Sequence, residues 1–332
     1  ICETMGGNEP AYTFSKRALE AGKSVCTSNK ELVANHGAEL LRLARENRCN
    51  YFFEASVGGG IPIIRPINDC LTAERIVEVS GILNGTTNYI LTKMEQEGML
   101  FEEALGQAQA LGYAERNPEA DVEGYDACRK IAILTSLVAG KTVDFHKIHT
   151  EGITGIEPTD FAYAKKLDAT IKLLAVSRET EDGYQISVAP YLLKKENALA
   201  GVNDVFNAVA VCGNTLGDTM FYGRGAGKLP TASAVVADVV ECARHLQKTV
   251  RCLWEEGEAK VADFDSQEGR FFVRVLKKAR ADVEKVFGAV VPVVLDSALE
   301  EFAFVTESMQ EAEFEKCREQ IFGFVKKIRI KD

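Results

Sequence analysis

The sequence lacks the residue patterns that are typical of disulfide-bonded, zinc-binding or membrane-spanning proteins. Its 332 residues include nine cysteines without a C-x-x-C pair, and none of its four histidines has metal-ligand spacing to a cysteine. Scattered cysteines of this kind are typical of a reduced, cytoplasmic protein. No apolar run reaches the roughly 20 residues that cross a bilayer. We therefore expect no disulfide framework, no zinc site and no membrane partner.

The sequence also has fewer basic than acidic residues. The 39 lysines and arginines are outnumbered by 49 acidic residues, which gives a net charge of −10 and a pI near 5.2. Binding to nucleic-acid phosphates requires clustered basic side chains. The one basic run, Lys326-Lys327 with Arg329 and Lys331, is short and fits the edge of a strand. We therefore expect no nucleic-acid partner.

The most informative feature that is present is a charged group at the start of an apolar helix. Asp126 and Lys130 are four residues apart and share one face of a helix predicted over 124–139. Glu115 lies in the preceding loop and can fold over the same end. The apolar run that follows favours burial of this pair, whereas an exposed pair would be an ordinary salt bridge worth about 0.3–0.5 kcal/mol.

The order of predicted elements indicates an α/β region followed by an α+β region. Strands and helices alternate over 10–55, which predicts part of a parallel, doubly wound sheet. From about Ile61 the helices and hairpins are segregated, which is typical of an α+β domain around a mostly antiparallel sheet. The last 64 residues, 269–332, predict a ferredoxin-like βαββαβ module, with its second strand at Val290–Leu295.

Five glycine-containing segments occur in an order that resembles the homoserine dehydrogenase family. One is Gly112-Tyr113-Ala114-Glu115 with the charged helix start that follows it. The other four are Gly22 to Lys30, Glu54 to Ile64, Ser80 to Ile90 and Gly223 to Ala232. Each segment alone is weak evidence for this family. The five occur in the order of the family and together cover the chain to about His245. The resemblance implies an NAD(P)-dependent oxidoreductase.

The resemblance also implies a division into domains. Residues 1–60 and 230–246 correspond to the remainder of an NAD(P)-binding Rossmann domain, interleaved with a substrate-binding, catalytic and dimerisation domain over 61–229. A linker over 247–268 and an ACT-like module over 269–332 follow. The usual glycine loop of that module is replaced by 277–282, so an effector sensor and a packing or dimerisation module are both open.

A pyrophosphate-binding G-x-G-x-x-G turn is absent, and the chain opens inside a family segment at Ile1-Cys2-Glu3. We expect a polypeptide that lacks the first half of its Rossmann domain. Whether such a chain binds the coenzyme, and whether it prefers NAD or NADP, stay open on the sequence alone.

By resemblance, two lysines are the catalytic candidates. Lys130 is the expected proton donor to the substrate oxygen, and Lys30 is the second lysine of the same centre. The alternative for Lys30 is a helix-start residue that points to water. The expected coenzyme contacts are Lys30, Gly112 and Gly227.

The expected substrate-binding residues carry charges that suit an amino acid. Glu115 and Asp126 fit the ammonium group, and Asp121 shapes their loop or merely packs a turn near Pro118. Gly85 and Thr86 offer backbone N–H groups to the carboxylate, unless Thr86 is simply a helix N-cap.

The resemblance further implies a monovalent-cation site, with sodium as the expected ion. Its expected ligands are Glu54 and the carbonyl oxygens of Val57, Gly59 and Ile61. A plain glycine turn is the alternative.

The implied reaction is the NAD(P)-dependent interconversion of L-aspartate 4-semialdehyde and L-homoserine, in threonine, methionine and isoleucine biosynthesis. A homo-oligomer, dimer or tetramer, is expected. Two alternatives are a different amino-acid dehydrogenase on the same scaffold and a non-catalytic binding or assembly module.

Overall fold

The first part of the chain alternates short strands with helices. The computed structural model describes residues 1–296 and 300–331. Asn29 caps the second helix, because its side chain accepts a hydrogen bond from the Leu32 N–H at 3.1 Å. The elements are β1 (Cys2–Glu3), α1 (Ala11–Glu20), β2 (Val25–Thr27), α2 (Lys30–Glu46) and β3 (Tyr51–Phe52). The three strands pair in parallel in the order β1-β2-β3, as the alternation predicted.

The middle of the chain contains the longest strands and the apolar helix. Its helices are α3 (Gly85–Glu97), α4 (Phe101–Ala110), α5 (Glu119–Val122), α6 (Tyr125–Ala139), α7 (Pro158–Lys166) and α8 (Lys228–Arg244). Its strands are β4 (Ile76–Ile82), β5 (Lys141–Thr142), β6 (His149–Thr150), β7 (Ala169–Thr180), β8 (Gly183–Lys194), β9 (Phe206–Gly213) and β10 (Gly217–Arg224). The two predicted hairpins are confirmed as β7–β8 and β9–β10.

The C-terminal part differs from the predicted βαββαβ order. Its elements are β11 (Glu255–Glu258), β12 (Glu268–Gly269), β13 (Phe271–Leu276), α9 (Arg280–Phe287), β14 (Glu301–Val305), β15 (Met309–Gln310), α10 (Glu311–Arg318) and β16 (Phe324–Lys331). The strand predicted at Val290–Leu295 is wrong, because only an isolated bridge between Val293 and Ala303 is formed there. Pro292 lies in the middle of this apolar run and cannot donate to a ladder.

The large sheet continues from the middle of the chain into its C-terminal part. Its strand order is β10-β9-β4-β7-β8-β16-β13-β14, with β6 also pairing with β8. Most neighbours are antiparallel, as predicted, but β16 joins β8 in parallel, with Arg329 opposite Tyr191. The result is a mixed α/β fold in which the last strands extend the sheet instead of forming one of their own.

The segment predicted as a linker over 247–268 is packed at its centre. Trp254 is fully buried, and its Nε1 donates to Thr142 Oγ1 at 3.0 Å. Its ring lies so close to Gly37 of α2 that a Cβ added at that glycine would be 2.6 Å from it. The strand β11 pairs with β5. This segment therefore covers one side of α2.

The predicted apolar helix, α6, lies in the main hydrophobic core. Ile131, Ile133 and Leu134 are fully buried there, together with residues of β7 and β8. The positive φ of +81° at Gly124 turns the chain into the first turn of α6. This buried helix gives the charged residues of its first turn a rigid base. In the described residues, no helix is long and apolar enough to cross a lipid bilayer.

Candidate active site

Three helix starts meet at the candidate site. Lys30 begins α2 directly after β2, and Gly85 begins α3 directly after β4. Asp126 and Lys130 lie in the first and second turns of α6. The first residues of α2 and α3 are therefore held close to a strand end, whereas α6 follows the short helix α5 through the turn at Gly124. The three starts therefore bring together residues that are about 100 positions apart in the sequence.

The centre of the site is a carboxylate held between two ammonium groups. Lys130 Nζ donates to Asp126 Oδ2 at 2.7 Å and to the carbonyl oxygen of Leu83 at 2.8 Å. Lys30 Nζ lies 2.9 Å from Asp126 Oδ1. Lys130 is 8% exposed and Asp126 is 5% exposed, whereas the Lys30 side chain is 40% exposed. The Asp126–Lys130 pair is thus buried and is not an ordinary surface salt bridge. Lys30 contacts Asp126, so it does not simply point to water.

The two lysines determine the charge of Asp126. Burial alone would raise the pKa of the Asp126 carboxyl, but the ammonium groups of Lys130 and Lys30 outweigh it and hold that pKa well below its usual range. Burial lowers the pKa of Lys30, and the Asp126 charge more than compensates, so the Lys30 pKa lies above its ordinary value. Asp126 and Lys30 therefore both stay ionised at neutral pH.

The second aspartate of the site behaves differently. Burial raises the pKa of Asp121, a hydrogen bond from Asn84 opposes this rise, and the nearby charge of Asp126 adds to it. Asp121 is therefore easier to protonate than Asp126. It also does more than pack a turn near Pro118, because it is joined to the central cluster through Asn84.

Asn84 connects the two aspartates and was not predicted as a site residue. Its Nδ2 donates to Asp121 Oδ1 at 2.7 Å and to Asp126 Oδ2 at 2.8 Å. Its Oδ1 accepts from the Thr87 N–H at 2.9 Å and so caps α3. The alternative role of Thr86 as that cap is therefore wrong, and the Thr86 hydroxyl donates to the Tyr113 carbonyl at 2.7 Å. An asparagine directly before Gly-Thr-Thr at a strand end was the available signal.

A cavity of about 510 Å³ opens above this cluster. It is lined by every residue predicted to bind substrate or coenzyme and by both predicted catalytic lysines: Lys30, Gly85, Thr86, Gly112, Glu115, Asp121, Asp126, Lys130 and Gly227. Asn84, Asn207 and Arg224 also line it and were not predicted. Carboxylates, ammonium groups and a helix N-terminus around one cavity suit a zwitterionic ligand.

Glu115 is the least engaged of the predicted substrate residues. It is exposed at the rim of the cavity, and only its backbone carbonyl is engaged, accepting from Gln109 Nε2 at 3.1 Å. Its carboxylate forms no ion pair with any residue that the structure describes. It is therefore free to meet a ligand, whereas Asp126 is already paired.

The predicted cation loop lies outside this cavity. The Glu54 carboxylate accepts hydrogen bonds from the backbone N–H groups of Ile63 at 2.6 Å, Ile64 at 2.9 Å and Arg65 at 3.0 Å. These three hydrogen bonds use most of the about four acceptor positions of the carboxylate, so it can offer a cation only one further position on Oε2. Among the described residues, no group of three or more His, Cys, Asp or Glu side chains is placed to hold a metal ion.

The carbonyl oxygens of the same loop fit a cation better. In the described chain, those of Val57, Gly59 and Ile61 accept no backbone hydrogen bond. The Ile61 N–H donates to the Gly58 carbonyl at 2.9 Å, so the loop is also a tight glycine turn. Such a turn with unused carbonyl oxygens is compatible with a hard monovalent ion.

Comparison with known proteins identifies relatives of this chain. A sequence profile described as homoserine dehydrogenase matches residues 62–240. The chain is 44% identical over 247 residues to a homoserine dehydrogenase of Bacillus subtilis, which covers 74% of this chain and 57% of that protein. It is 46% identical over 244 residues to one of Pseudomonas aeruginosa, covering 74% and 56%. The chain thus spans a little over half the length of these curated relatives.

Solved structures agree with this match. A homoserine dehydrogenase from Thiobacillus denitrificans superposes with a TM-score of 0.92 at 33% identity, covering 100% of this chain and 82% of that one. A hyperthermophilic archaeal homoserine dehydrogenase in complex with NADPH gives a TM-score of 0.64 at 32% identity, covering 73% and 71%. The matching profile includes the segments from Asn84 to Gly227 that build most of the cavity. From this profile match and the identity to its relatives, the chain belongs to the homoserine dehydrogenase family.

Proposed function

We propose that this chain catalyses the NAD(P)-dependent interconversion of L-aspartate 4-semialdehyde and L-homoserine, as part of threonine, methionine and isoleucine biosynthesis. The observation that carries the proposal is the buried Lys130 ammonium, held by Asp126 and the Leu83 carbonyl at the base of a cavity lined with charged groups. Family membership favours this function over the two alternatives, a different amino-acid dehydrogenase and a non-catalytic binding module.

The role proposed for Lys130 follows from the charge that develops on the substrate. The coenzyme, when bound, supplies or accepts the hydride at the carbonyl carbon of the substrate. In the reduction direction the aldehyde oxygen gains negative charge, and Lys130 Nζ both stabilises that charge and donates a proton to the oxygen. Asp126 keeps the ammonium oriented, and Lys30 shares the same carboxylate as the second catalytic lysine.

Substrate binding is proposed to use opposite charges on two sides of the cavity. Glu115, Asp121 and Asp126 would receive the substrate ammonium. The N-terminus of α3, at Gly85 and Thr86, would receive the substrate carboxylate, because its backbone N–H groups and its helix dipole attract anions.

The coenzyme, NADP or NAD, is proposed to contact Lys30, Gly112 and Gly227. Gly112 has a positive φ of +75° and open space around it, and Gly227 ends the connection into α8 with a φ of +115°. A sodium ion would be held by the carbonyl oxygens of Val57, Gly59 and Ile61. Glu54 would add the acceptor position on Oε2 that its backbone contacts with residues 63–65 leave free.

The domain organisation is part of the same proposal. Residues 1–60 and 230–246 would belong to an NAD(P)-binding Rossmann domain, interleaved with a substrate-binding, catalytic and dimerisation domain over 61–229. The connecting segment 247–268 and an ACT-like module over 269–332 would follow. We also infer a homo-oligomer and a cytoplasmic location. The location is supported by the nine cysteines, which are all free within the described residues.

The direct test is homoserine-dependent reduction of NAD(P)+ by the chain and by Lys130→Ala. Removing a positioned proton donor is expected to lower kcat by about 10²- to 10⁴-fold, with an unchanged melting temperature taken as evidence of folding. Lys172→Met, a change to a buried lysine that does not line the cavity, is the matched control. Near-wild-type turnover by Lys130→Ala would remove this lysine from the mechanism, and activity with other amino alcohols but not homoserine would favour a different dehydrogenase.

A further inference from the structure

A buried asparagine beside the catalytic cluster has no hydrogen-bond partner at either end of its side chain. Asn207, in β9, is 1% exposed and lines the same cavity as Lys130. Its Nδ2 and its Oδ1 are both shielded from solvent and unpaired within the described residues. A buried amide without partners destabilises the fold relative to an apolar side chain of the same shape. Its partner is therefore to be sought outside the protein chain.

Neighbouring asparagines show what a structural amide looks like at this junction. Asn88 Nδ2 donates to the carbonyl oxygens of Val202 and Phe206, both at 3.1 Å. Asn203 accepts from Lys172 Nζ at 2.9 Å. Asn84 is hydrogen-bonded at both ends of its amide, to the site aspartates and to the α3 backbone. Asn207 differs from all of these, since neither its donor nor its acceptor is used.

The position of Asn207 indicates which ligand group it meets. A Cβ added at Gly225 would lie 2.1 Å from Asn207 Nδ2, and one added at Gly85 would lie 3.2 Å from Asn207 Oδ1. The amide therefore lies between the start of α3 and the glycine-rich connection into α8. The first is the proposed seat of the substrate carboxylate, and the second carries a proposed coenzyme contact, Gly227.

The chemistry of the amide distinguishes between the groups that could occupy this place. A carboxylate can only accept hydrogen bonds and an ammonium can only donate them, so either would leave one end of Asn207 unpaired. A hydroxyl group does both through a single oxygen, whereas a primary carboxamide donates and accepts through separate atoms and pairs with another primary amide through two hydrogen bonds at once. The nicotinamide ring of NAD(P) carries such a group.

We propose that Asn207 binds the carboxamide of the nicotinamide ring, an assignment that rests on the proposed function. Rotation about the Cβ–Cγ bond of an asparagine is soft, so the amide can turn its polar edge toward the cavity when a ligand enters. Two hydrogen bonds to the carboxamide fix the rotation of the ring about its glycosidic bond. Asn207 thereby selects which face of the ring is presented to the substrate beside Lys130.

The test compares two coenzymes that differ only at this group. Binding of NADPH and of its reduced 3-acetylpyridine counterpart, in which a methyl ketone replaces the carboxamide, is measured by fluorescence titration of the wild-type chain and Asn207→Leu. The wild type should prefer the carboxamide by about 10-fold, because the ketone cannot donate to Oδ1. Asn207→Leu should bind NADPH about 10- to 100-fold more weakly and lose the preference.

Asn88→Leu is the matched control, because it also removes a buried amide, here within α3, at a position that does not line the cavity. It should lower the melting temperature and leave the preference between the two coenzymes unchanged. A preference that survives in Asn207→Leu would overturn the assignment. So would a raised KM for homoserine with an intact coenzyme preference, which would place Asn207 on the substrate.

Two further outcomes separate this assignment from the proposed function. A wild-type chain that binds neither coenzyme would overturn the assignment. A chain that shows the expected coenzyme preference and its loss in Asn207→Leu, but does not turn over homoserine, would refute the substrate and leave the role of Asn207 standing.

Discussion

Two buried ion clusters in this protein are built from similar groups and lead to opposite interpretations. At the site, Asp126 lies between Lys130 and Lys30, and Asp121 is joined to it through Asn84. In the C-terminal half, Arg274 of β13 lies among three carboxylates, with Nη1 at 2.5 Å from Asp160 and 3.0 Å from Glu157, and Nη2 at 2.8 Å from Glu301. Arg274 is 2% exposed.

The difference between the clusters lies in what is left for a ligand. The Arg274 guanidinium is saturated by carboxylates from α7 and β14, so it fastens the C-terminal strands to the rest of the chain. The site cluster instead borders a cavity and keeps its second lysine partly exposed. A buried charge cluster therefore indicates a functional site only when part of it stays open to a cavity.

Breaking the Arg274 cluster should have the largest effect on stability. Arg274→Met leaves Asp160 buried without its cation, which is expected to lower the free energy of unfolding by about 3–5 kcal/mol, measured by urea denaturation. The double variant Arg274→Met/Asp160→Leu should recover part of that loss, because the fully buried Asp160 charge is removed together with its cation. A loss below about 1 kcal/mol in the single variant would show that this cluster is not structural.

Changing the shared carboxylate of the site should affect the reaction more than the fold. Asp126→Asn removes the charge that orients Lys130 and Lys30, and kcat/KM for homoserine is expected to fall by about 10²-fold, or ~2.7 kcal/mol. Steady-state kinetics with a melting curve as the folding control measure this. Unchanged kinetics in a folded variant would make the two clusters equivalent.

Lys172 offers a third case, a buried lysine bonded only to neutral oxygens. Its Nζ donates to the Val202 carbonyl at 2.7 Å and to Asn203 Oδ1 at 2.9 Å. Burial lowers its pKa from 10.5 to about 8. Between these two values the unfolded chain holds the proton and the folded chain does not, so this lysine makes stability rise with pH across that window.

The corresponding variant is Lys172→Met. Relative to this variant, the wild type should gain about 1–3 kcal/mol of stability between pH 8 and pH 10.5, because the variant has no proton to lose there. Urea denaturation at both pH values measures the change. A difference between the two proteins that does not vary with pH would mean that Lys172 keeps its proton in the fold.

The smallest effect is expected at an exposed pair. Lys147 and Glu258 form an ion pair in which the side chains are 54% and 56% exposed. Lys147→Met should leave both the melting temperature and the turnover unchanged within measurement, since solvent screens such pairs. A clear loss of stability would show that charge pairing stabilises this protein even without burial.

Several features of the site were predictable because their determinants are local. The spacing of Asp126 and Lys130 and the apolar run after them predicted a buried helix with a charged first turn, and α6 has both. The parallel pairing of β1, β2 and β3 and the two hairpins followed from alternation and turn residues.

Other features were missed because their partners are distant in the sequence. Asn84 is recognised as a site residue only when Asp121 and Asp126 are placed beside it. Asn207 is notable only because it lacks partners once β9 is packed between Gly85 and Gly225. The strand predicted at Val290–Leu295 was wrong because apolar composition was given more weight than Pro292.

The sequence by itself determined the helices, the hairpins and the family, because periodicity, capping and glycine placement act over a few residues. Only the tertiary structure decided that β16 joins β8 in parallel, that the Glu54 carboxylate accepts from three backbone N–H groups, and that Arg274 is surrounded by three carboxylates. Each of these depends on which groups meet across the fold. Burial and pairing set the charge of a side chain and whether it is available to a ligand. Both depend on tertiary contacts and not on any short segment.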